Sequence, residues 1–335
     1  MKAWQIVSDG GIAALQLNEA ASRPPGPGEV AVRMHASAIN YRDYLTVTDP
    51  VSRKLPYPRV PNSDGTGEVI AVGPGVTGVA VGDRVASCFF QRWTDGQCSA
   101  EAMASALGGA LDGVLAEEAV LRADGVVPVP AHLSYTEAAT LPCAALTAWN
   151  AVVETGRIKA GDWVLLLGTG GVSIFALQFA TMMGARTIIT SSSDEKLEKA
   201  RALGATVTVN YRRHPDWEEV VLEETKGRGV DLAVEVTGAQ NLPRTINATR
   251  IAGTIALIGA MHGGAIDPAQ FMRRSIRMQG IYVGSRRMFL DMIQAVEAHE
   301  LRPVIDTTFR FDQAREAYRH MESQTHLGKI VINVR

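Results

Sequence analysis

The stretch that most constrains this chain is VLLLGTGGVSIFALQFA, Val164 to Ala180. It opens on the apolar run Val164-Leu165-Leu166-Leu167. A short, continuous run bounded by turn residues reads as a strand buried on both faces. Gly168-Thr169-Gly170-Gly171-Val172-Ser173 comes next, and then Val172, Phe175, Ala176, Phe179 and Met183 recur at helical spacing. The order strand, glycine turn, helix suits a pyrophosphate. Gly168 permits the sharp exit from the strand, Gly170 lets backbone approach the phosphates, and the first N–H groups of the helix face the anion. Ser173 stands where a third glycine is usual and is small enough for close helix–strand packing. A bare G-x-G-x-x-G is weak; a readable strand before it and a helix after it make it a dinucleotide-binding turn.

The rest of the chain supplies the setting. From Ser134 onward strands and helices alternate, which means a parallel sheet covered on both faces. Strands are expected near 185–190, 206–209, 230–236, 254–258 and 278–283, with helices near 194–203, 217–225 and 242–249. One apolar helix, broken at Pro142, is expected over 137–153. Before that, segments such as Glu29–Ala36 and Asp64–Gly73 alternate or carry glycines between Gly/Pro turns, the pattern of a small barrel. A short helix is expected near Ala100–Leu107, and helices over 289–299 and 312–324 precede a last strand, 329–334. A chain of 335 residues exceeds one ordinary core, so two domains are expected. A net charge of -2 argues against a nucleic-acid partner. No run has the length of a membrane span, and the start MKAWQIVSDGG has no secretory pattern. Cys88, Cys98 and Cys143 form neither a disulfide framework nor a CxxC pair. These point to a reduced, cytoplasmic protein.

Four features together resemble the medium-chain dehydrogenase/reductase superfamily: the β-rich N-terminal part, the glycine turn at 168, the segment Leu141-Pro142-Cys143-Ala144-Ala145-Leu146-Thr147-Ala148-Trp149, and the closing Gly328-Lys329-Ile330-Val331. The resemblance implies an α/β fold: a Rossmann doubly wound parallel sheet over 126–284, and a β-rich GroES-like catalytic domain from 1–125 and 285–335. Within the superfamily the chain is similar to the zinc-independent quinone oxidoreductase-like and alcohol dehydrogenase-like branch. Zinc enzymes of the family carry a Cys, a His and a Cys as ligands. This chain has Asn40-Tyr41-Arg42-Asp43 at the first place, Asn62-Ser63-Asp64 at the second, and only Cys143 at the third. One thiolate cannot hold an ion that needs three protein ligands, so no zinc is expected and Cys143 reads as a small buried hydrophobe.

NADPH is the expected cofactor. An NAD enzyme usually ends its second strand on Asp or Glu, whereas this one ends Thr190-Ser191-Ser192-Ser193, and by family spacing Ser192 holds the discriminating place. Lys196, Tyr211 and Arg212 would meet a 2′-phosphate. The alternative is that Asp194 serves NAD, or that Ser192 and Glu195 form a helix capping box. Besides Gly168, Gly170, Gly171 and Val172, the resemblance implies cofactor contacts from Thr147, Thr237, Gly259 and Lys329, the last near the pyrophosphate.

Without a metal, a conjugated acceptor is easier to reduce than a simple carbonyl, because hydrogen-bond donors can stabilise the charge that collects on oxygen. The expected activity is therefore NADPH-dependent reduction of a quinone or an α,β-unsaturated carbonyl. A zinc-free alcohol or aldehyde dehydrogenase, or an NADPH-binding redox sensor, is the alternative. The catalytic candidates are Asn40, Tyr41, Tyr44 and Ser63. Related reductases place a Tyr one position beyond Tyr44, where this chain has Leu45. Arg42 and Asp43 read as an ion pair, and Asp64 as a backbone-binding residue. The apolar outer strand Met278–Val283 is expected to pair with a second copy, giving a homodimer.

Overall fold

The computed structural model describes residues 1–259 and 263–335. The chain divides into two compact units, Met1–Leu146 with Gly284–Arg335, and Thr147–Val283. Residues 126–146 therefore pack with the first unit. Beyond the undescribed residues 260–262, Pro268–Arg274 is a helix.

In the second unit six parallel strands lie in the order Val207–Asn210, Arg186–Ser191, Trp163–Leu166, Val230–Glu235, Thr249–Leu257, Arg277–Gly280. Numbered by sequence within the unit this is 3-2-1-4-5-6, the doubly wound order. Its direction reverses at Trp163–Leu166, and ligands bind beyond the carboxyl ends of strands at such a point. Val164 to Leu167 are all buried, as an apolar run covered on both sides must be. The core around them takes Ile188, Trp217, Val221, Leu242, Ile246 and Ile255.

Two local expectations are corrected by the packing. The helix Gly171–Met182 is not apolar on one face only. Ser173 to Leu177, Phe179 and Ala180 are all buried, while Val172 and Met183 are half-buried. The stretch 137–153 is not a single α-helix. Leu141–Ala145 and Asn150–Thr155 are π-type turns, with the Gly156 N–H reaching the Ala151 carbonyl at 2.9 Å. Pro142 lacks an N–H, which breaks the regular ladder of the first.

The first unit is built on a seven-stranded sheet whose spine runs Ile305–Arg310, Lys329–Asn333, Glu29–Ile39, Asp64–Val72, Arg84–Ser87, Val126–Pro128, with Glu118–Arg122 also on Glu29–Ile39. Two strand registers position its polar residues. Ile330 pairs with Ile39, and Ala38 pairs with Asp64. They bring Lys329, Asn40 and Asp64, far apart in sequence, to one place. The expected helix over 100–107 is shorter, Ala100–Met103, with Ser99 as its cap. Among the described residues no helix is long and apolar enough to cross a membrane.

Candidate active site

The second unit holds a pocket of about 410 Å³ at the sheet's switch point, lined by Gly168, Thr190, Tyr211, Trp217, Thr237 and Arg244 among others. Gly168 sits at φ +74, a conformation that favours glycine. Ser173 Oγ donates to the Leu167 carbonyl at 2.7 Å, so the residue in the third-glycine place ties the helix start to the strand end. Gly170 is the N-cap of Gly171–Met182 and offers no side chain to its first N–H groups. Those groups and the helix dipole suit a pyrophosphate.

The rim of the pocket is set by buried polar contacts. The Glu235 carboxylate is fully buried and accepts from Thr237 N–H (2.7 Å), Thr237 Oγ1 (2.5 Å), Gly238 N–H (3.1 Å) and Thr245 Oγ1 (2.5 Å). Sequence reasoning missed Glu235; its signal was an acidic residue ending an apolar strand. Gly259 must be glycine, since a Cβ there would lie 1.9 Å from the Val236 carbonyl oxygen. Thr147 is buried. Ser192 and Lys196 are half-buried. The alternative in which Ser192 caps the helix is not what forms: Ser193 Oγ accepts from Lys196 N–H at 3.4 Å. Asp194 accepts from Asn210 Nδ2 at 2.7 Å and pairs with Arg213, a residue the sequence reading passed over. Tyr211 is exposed beside Arg212.

In the first unit a buried polar cluster forms around Asn40. Lys329 Nζ donates to the Ile39 carbonyl at 2.9 Å and to Asn40 Oδ1, and stands 3.9 Å from Asp64 Oδ2. Asp64 accepts from Ser63 Oγ at 2.6 Å and from the Cys143 N–H at 3.1 Å. Burial pushes the Asp64 carboxyl up to about 6, with the Lys329 ammonium pulling it back and Asp43 adding to the rise. The backbone role expected for Asp64 is therefore joined by a charge role. Asn40 N–H donates to Asp43 Oδ2 at 2.9 Å, capping the helix Tyr41–Thr48. Arg42 and Asp43 pair at 3.0 Å, as read from sequence. Tyr318 OH donates to Asn62 Oδ1.

Of the four catalytic candidates, Asn40 and Ser63 meet in this cluster. Tyr44 does not join them: its hydroxyl donates to Glu322 at 3.1 Å. Tyr41 is half-buried, its ring 5.7 Å from that of Tyr44. Lys329 lies on the first unit with its ammonium turned into the cluster, 2% exposed.

Residues 26–131 match the alcohol dehydrogenase GroES-like domain family and residues 171–298 the zinc-binding dehydrogenase family. A zinc-type alcohol dehydrogenase-like protein of Schizosaccharomyces pombe is 44% identical over 316 residues, 92% of this chain and 91% of that one. The chain belongs to the medium-chain dehydrogenase/reductase superfamily. A solved NAD-dependent alcohol dehydrogenase superposes with a TM-score of 0.92 at 37% identity, covering 100% of both chains. An acryloyl-coenzyme A reductase of Metallosphaera sedula is 27% identical over 98% of both. This medium-chain dehydrogenase/reductase is thus an alcohol dehydrogenase-like oxidoreductase.

Zinc appears in two of these names, and this chain's donors do not fit it. A zinc site needs three protein ligands and an open position. Asn40 and Ser63 are neutral and already bonded to Lys329 and Asp64. Cys143 is the one thiol among them, its ionisation pushed up first by burial, with Asp64 adding to the effect. The Lys329 ammonium would repel a second cation. Among the described residues no three His, Cys, Asp or Glu gather as a metal-holding group.

Proposed function

We propose that this oxidoreductase passes hydride from NADPH to a quinone or an α,β-unsaturated carbonyl, and does so without zinc. One observation carries the reading: Asn40, which by resemblance stands at the place of the family's first zinc ligand, holds the Lys329 ammonium together with the Ile39 carbonyl. Bound at the Gly168 turn, the dinucleotide supplies the hydride. An alcohol would lack the Lewis acid that helps it shed its proton. A conjugated acceptor takes hydride at carbon, its π electrons shift, and negative charge collects on oxygen, where donors stabilise it. One proton completes the product, so one NADPH and one proton are consumed for each acceptor reduced. In the first unit the candidate donor is the Asn40 amide, which also hydrogen-bonds the Asp64 carboxylate. Ser63's hydroxyl is given to Asp64 and Tyr44's to Glu322.

For the cofactor, the engagement of Asp194 by Asn210 and Arg213 supports NADPH, because it occupies the one carboxylate that would otherwise hold ribose hydroxyls. Tyr211, Arg212 and Lys196 would meet the 2′-phosphate. We further propose a cytoplasmic homodimer, joined through the outer strand expected over Met278–Val283 and observed at Arg277–Gly280, whose partners are small-molecule substrates rather than nucleic acid or membrane.

The test is NADPH oxidation by chelator-treated protein against a panel of quinones and enones. Turnover that added zinc does not raise is expected. No turnover with any acceptor, or turnover only after zinc is restored, overturns the proposal. The names of the relatives favour a second reading, a zinc-free alcohol or aldehyde dehydrogenase. Alcohol oxidation with NADP⁺ or NAD⁺, without quinone or enone reduction, would select it. Tight NADPH binding with no turnover of either panel would instead select a redox sensor.

A further inference from the structure

We infer that Arg244 is a positioning residue of the pocket at the Gly168 turn, a latch that holds the loop 211–216 where its side chains meet the 2′-phosphate of NADPH. The inference rests on the proposed NADPH reading and deepens it. Two segments make most of the pocket wall beyond the strand ends. One supplies Tyr211, Pro215 and Trp217, the other Thr237, Asn241 and Arg244. The segments run on into the helices Trp217–Glu224 and Leu242–Ala248, which share one apolar core through Trp217, Val221, Leu242 and Ile246. The loop before Trp217 has no such anchor. Residues 211 to 216 are all exposed, and a segment that buries little apolar surface is held by its polar contacts or moves.

At the start of the loop, the Asn210 carbonyl accepts from the Arg213 N–H at 3.0 Å and from the His214 N–H at 2.9 Å. Asn210 Oδ1 accepts from the Arg212 N–H at 3.0 Å. In the middle, Arg213 pairs with Asp194, their side chains 69% and 49% exposed. Pairs so exposed hold weakly. At the far end, Arg244 Nη1 donates to the Pro215 carbonyl and to Glu218 Oε2 at 3.0 Å, while Nη2 stands 3.2 Å from Asp216 Oδ1. One planar guanidinium thus ties a backbone carbonyl and two carboxylates, a fork that a lysine cannot reproduce. It also offsets the charge of Asp216 and Glu218, beside a pocket that must admit a phosphate.

The test compares Arg244→Met, Arg244→Lys and the triple variant Arg244→Met/Asp216→Asn/Glu218→Gln by fluorescence titration with NADPH and with NADH, with folding checked by circular dichroism. In Arg244→Met the NADPH dissociation constant should rise about tenfold, the scale of one charge-assisted contact. The NADH constant should rise less, because NADH has no 2′-phosphate for the loop to hold. Arg244→Lys, one ammonium for three partners, should fall between, and it reads the same difference if Arg244→Met does not fold. The triple variant removes the uncovered carboxylates without restoring the latch, so its NADPH affinity should stay as low as that of Arg244→Met. Hydrogen exchange of the amides over 211–216 should be faster in the Met and triple variants than in the unsubstituted protein. Recovered NADPH affinity in the triple variant would make Arg244 a charge screen alone and overturn the inference. Equal losses for NADPH and NADH, or unchanged exchange in the loop, would overturn it too, leaving the proposed reaction standing. An unsubstituted protein that binds neither nucleotide, or NADH alone, would overturn the cofactor reading and the inference together.

Discussion

Asn210 Nδ2 donates to Asp194 Oδ1 at 2.7 Å, across from the end of the strand Arg186–Ser191. With Arg213 on the same carboxylate, the acidic residue nearest that strand end is already engaged. On the proposed NADPH reading, Ser192, half-buried and uncharged, stands at the place that selects the cofactor. Ser192→Asp should set a carboxylate against the 2′-phosphate. NADPH affinity should fall tenfold or more, about 1.4 kcal/mol, while NADH affinity holds or rises. Fluorescence titration of both cofactors checks this. A wild-type protein that prefers NADH, or a variant with unchanged preference, would refute it.

The loop after the strand Val230–Glu235 depends on one carboxylate. Glu235 Oε1 accepts from three donors and Oε2 from one. In Glu235→Gln one oxygen becomes an N–H₂ group that must face a donor. The unmatched contact should cost on the order of 1–3 kcal/mol of stability. Thr237 and Asn241, both on the pocket wall, should also lose their placement. The expected result is a lower melting temperature and a higher NADPH dissociation constant, read by thermal unfolding and titration. Glu235→Gln with unaltered nucleotide binding would show that the loop holds itself.

What could be read in the sequence was what is local. Val164–Ser173 announced its strand, turn and helix because buried strands, glycine turns and helices each leave a short-range pattern. The alternation from Ser134 onward specified the parallel sheet for the same reason. What could not be read depended on strand pairing. The resemblance puts Lys329 near a pyrophosphate, and its contact with Asn40 emerges only once Ile330 is paired with Ile39. Tyr44 looks like a site residue until the helix Ala314–Ser323 brings Glu322 to its hydroxyl. The alternative cap at Ser192 lies one residue from the observed one at Ser193, within a run of serines, all of which are good caps. The Glu235 hydrogen bonds join residues up to ten apart through a loop whose path has no periodicity.

Asp64 should give the protein an unusual pH response. Its folded value of about 6 lies above the ordinary 3.8, because burial outweighs the attraction of Lys329. Asp43 and the Cys143 thiol face the same cluster, and Asp43 adds to the rise. A raised carboxyl binds its proton more tightly in the folded state. Its contribution to stability is thus greatest below pH 4, declines between about 4 and 6, and is flat above. A gap of about two pH units corresponds to roughly 3 kcal/mol. Urea unfolding at several pH values should show Asp64→Asn without that decline, so the difference between wild type and variant should itself change across pH 4 to 6. A pH-independent difference would place the Asp64 value near that of an ordinary carboxylate.

The outer strand Arg277–Gly280 offers a test of assembly. It closes one end of the six-stranded sheet, all four of its residues are exposed, and Met278 and Tyr282 leave apolar surface uncovered. An open edge of this kind invites another strand. Under two-fold symmetry that strand is the same segment of a second copy, so any charge placed there meets its own image. Met278→Glu should therefore separate the dimer while leaving the sheet intact, since the side chain it replaces is 39% exposed. Light scattering should give twice the chain mass for the wild type and the chain mass for the variant, with NADPH binding unchanged. A wild-type monomer at micromolar concentration would refute the assembly. A variant that remains dimeric would move the interface to another surface.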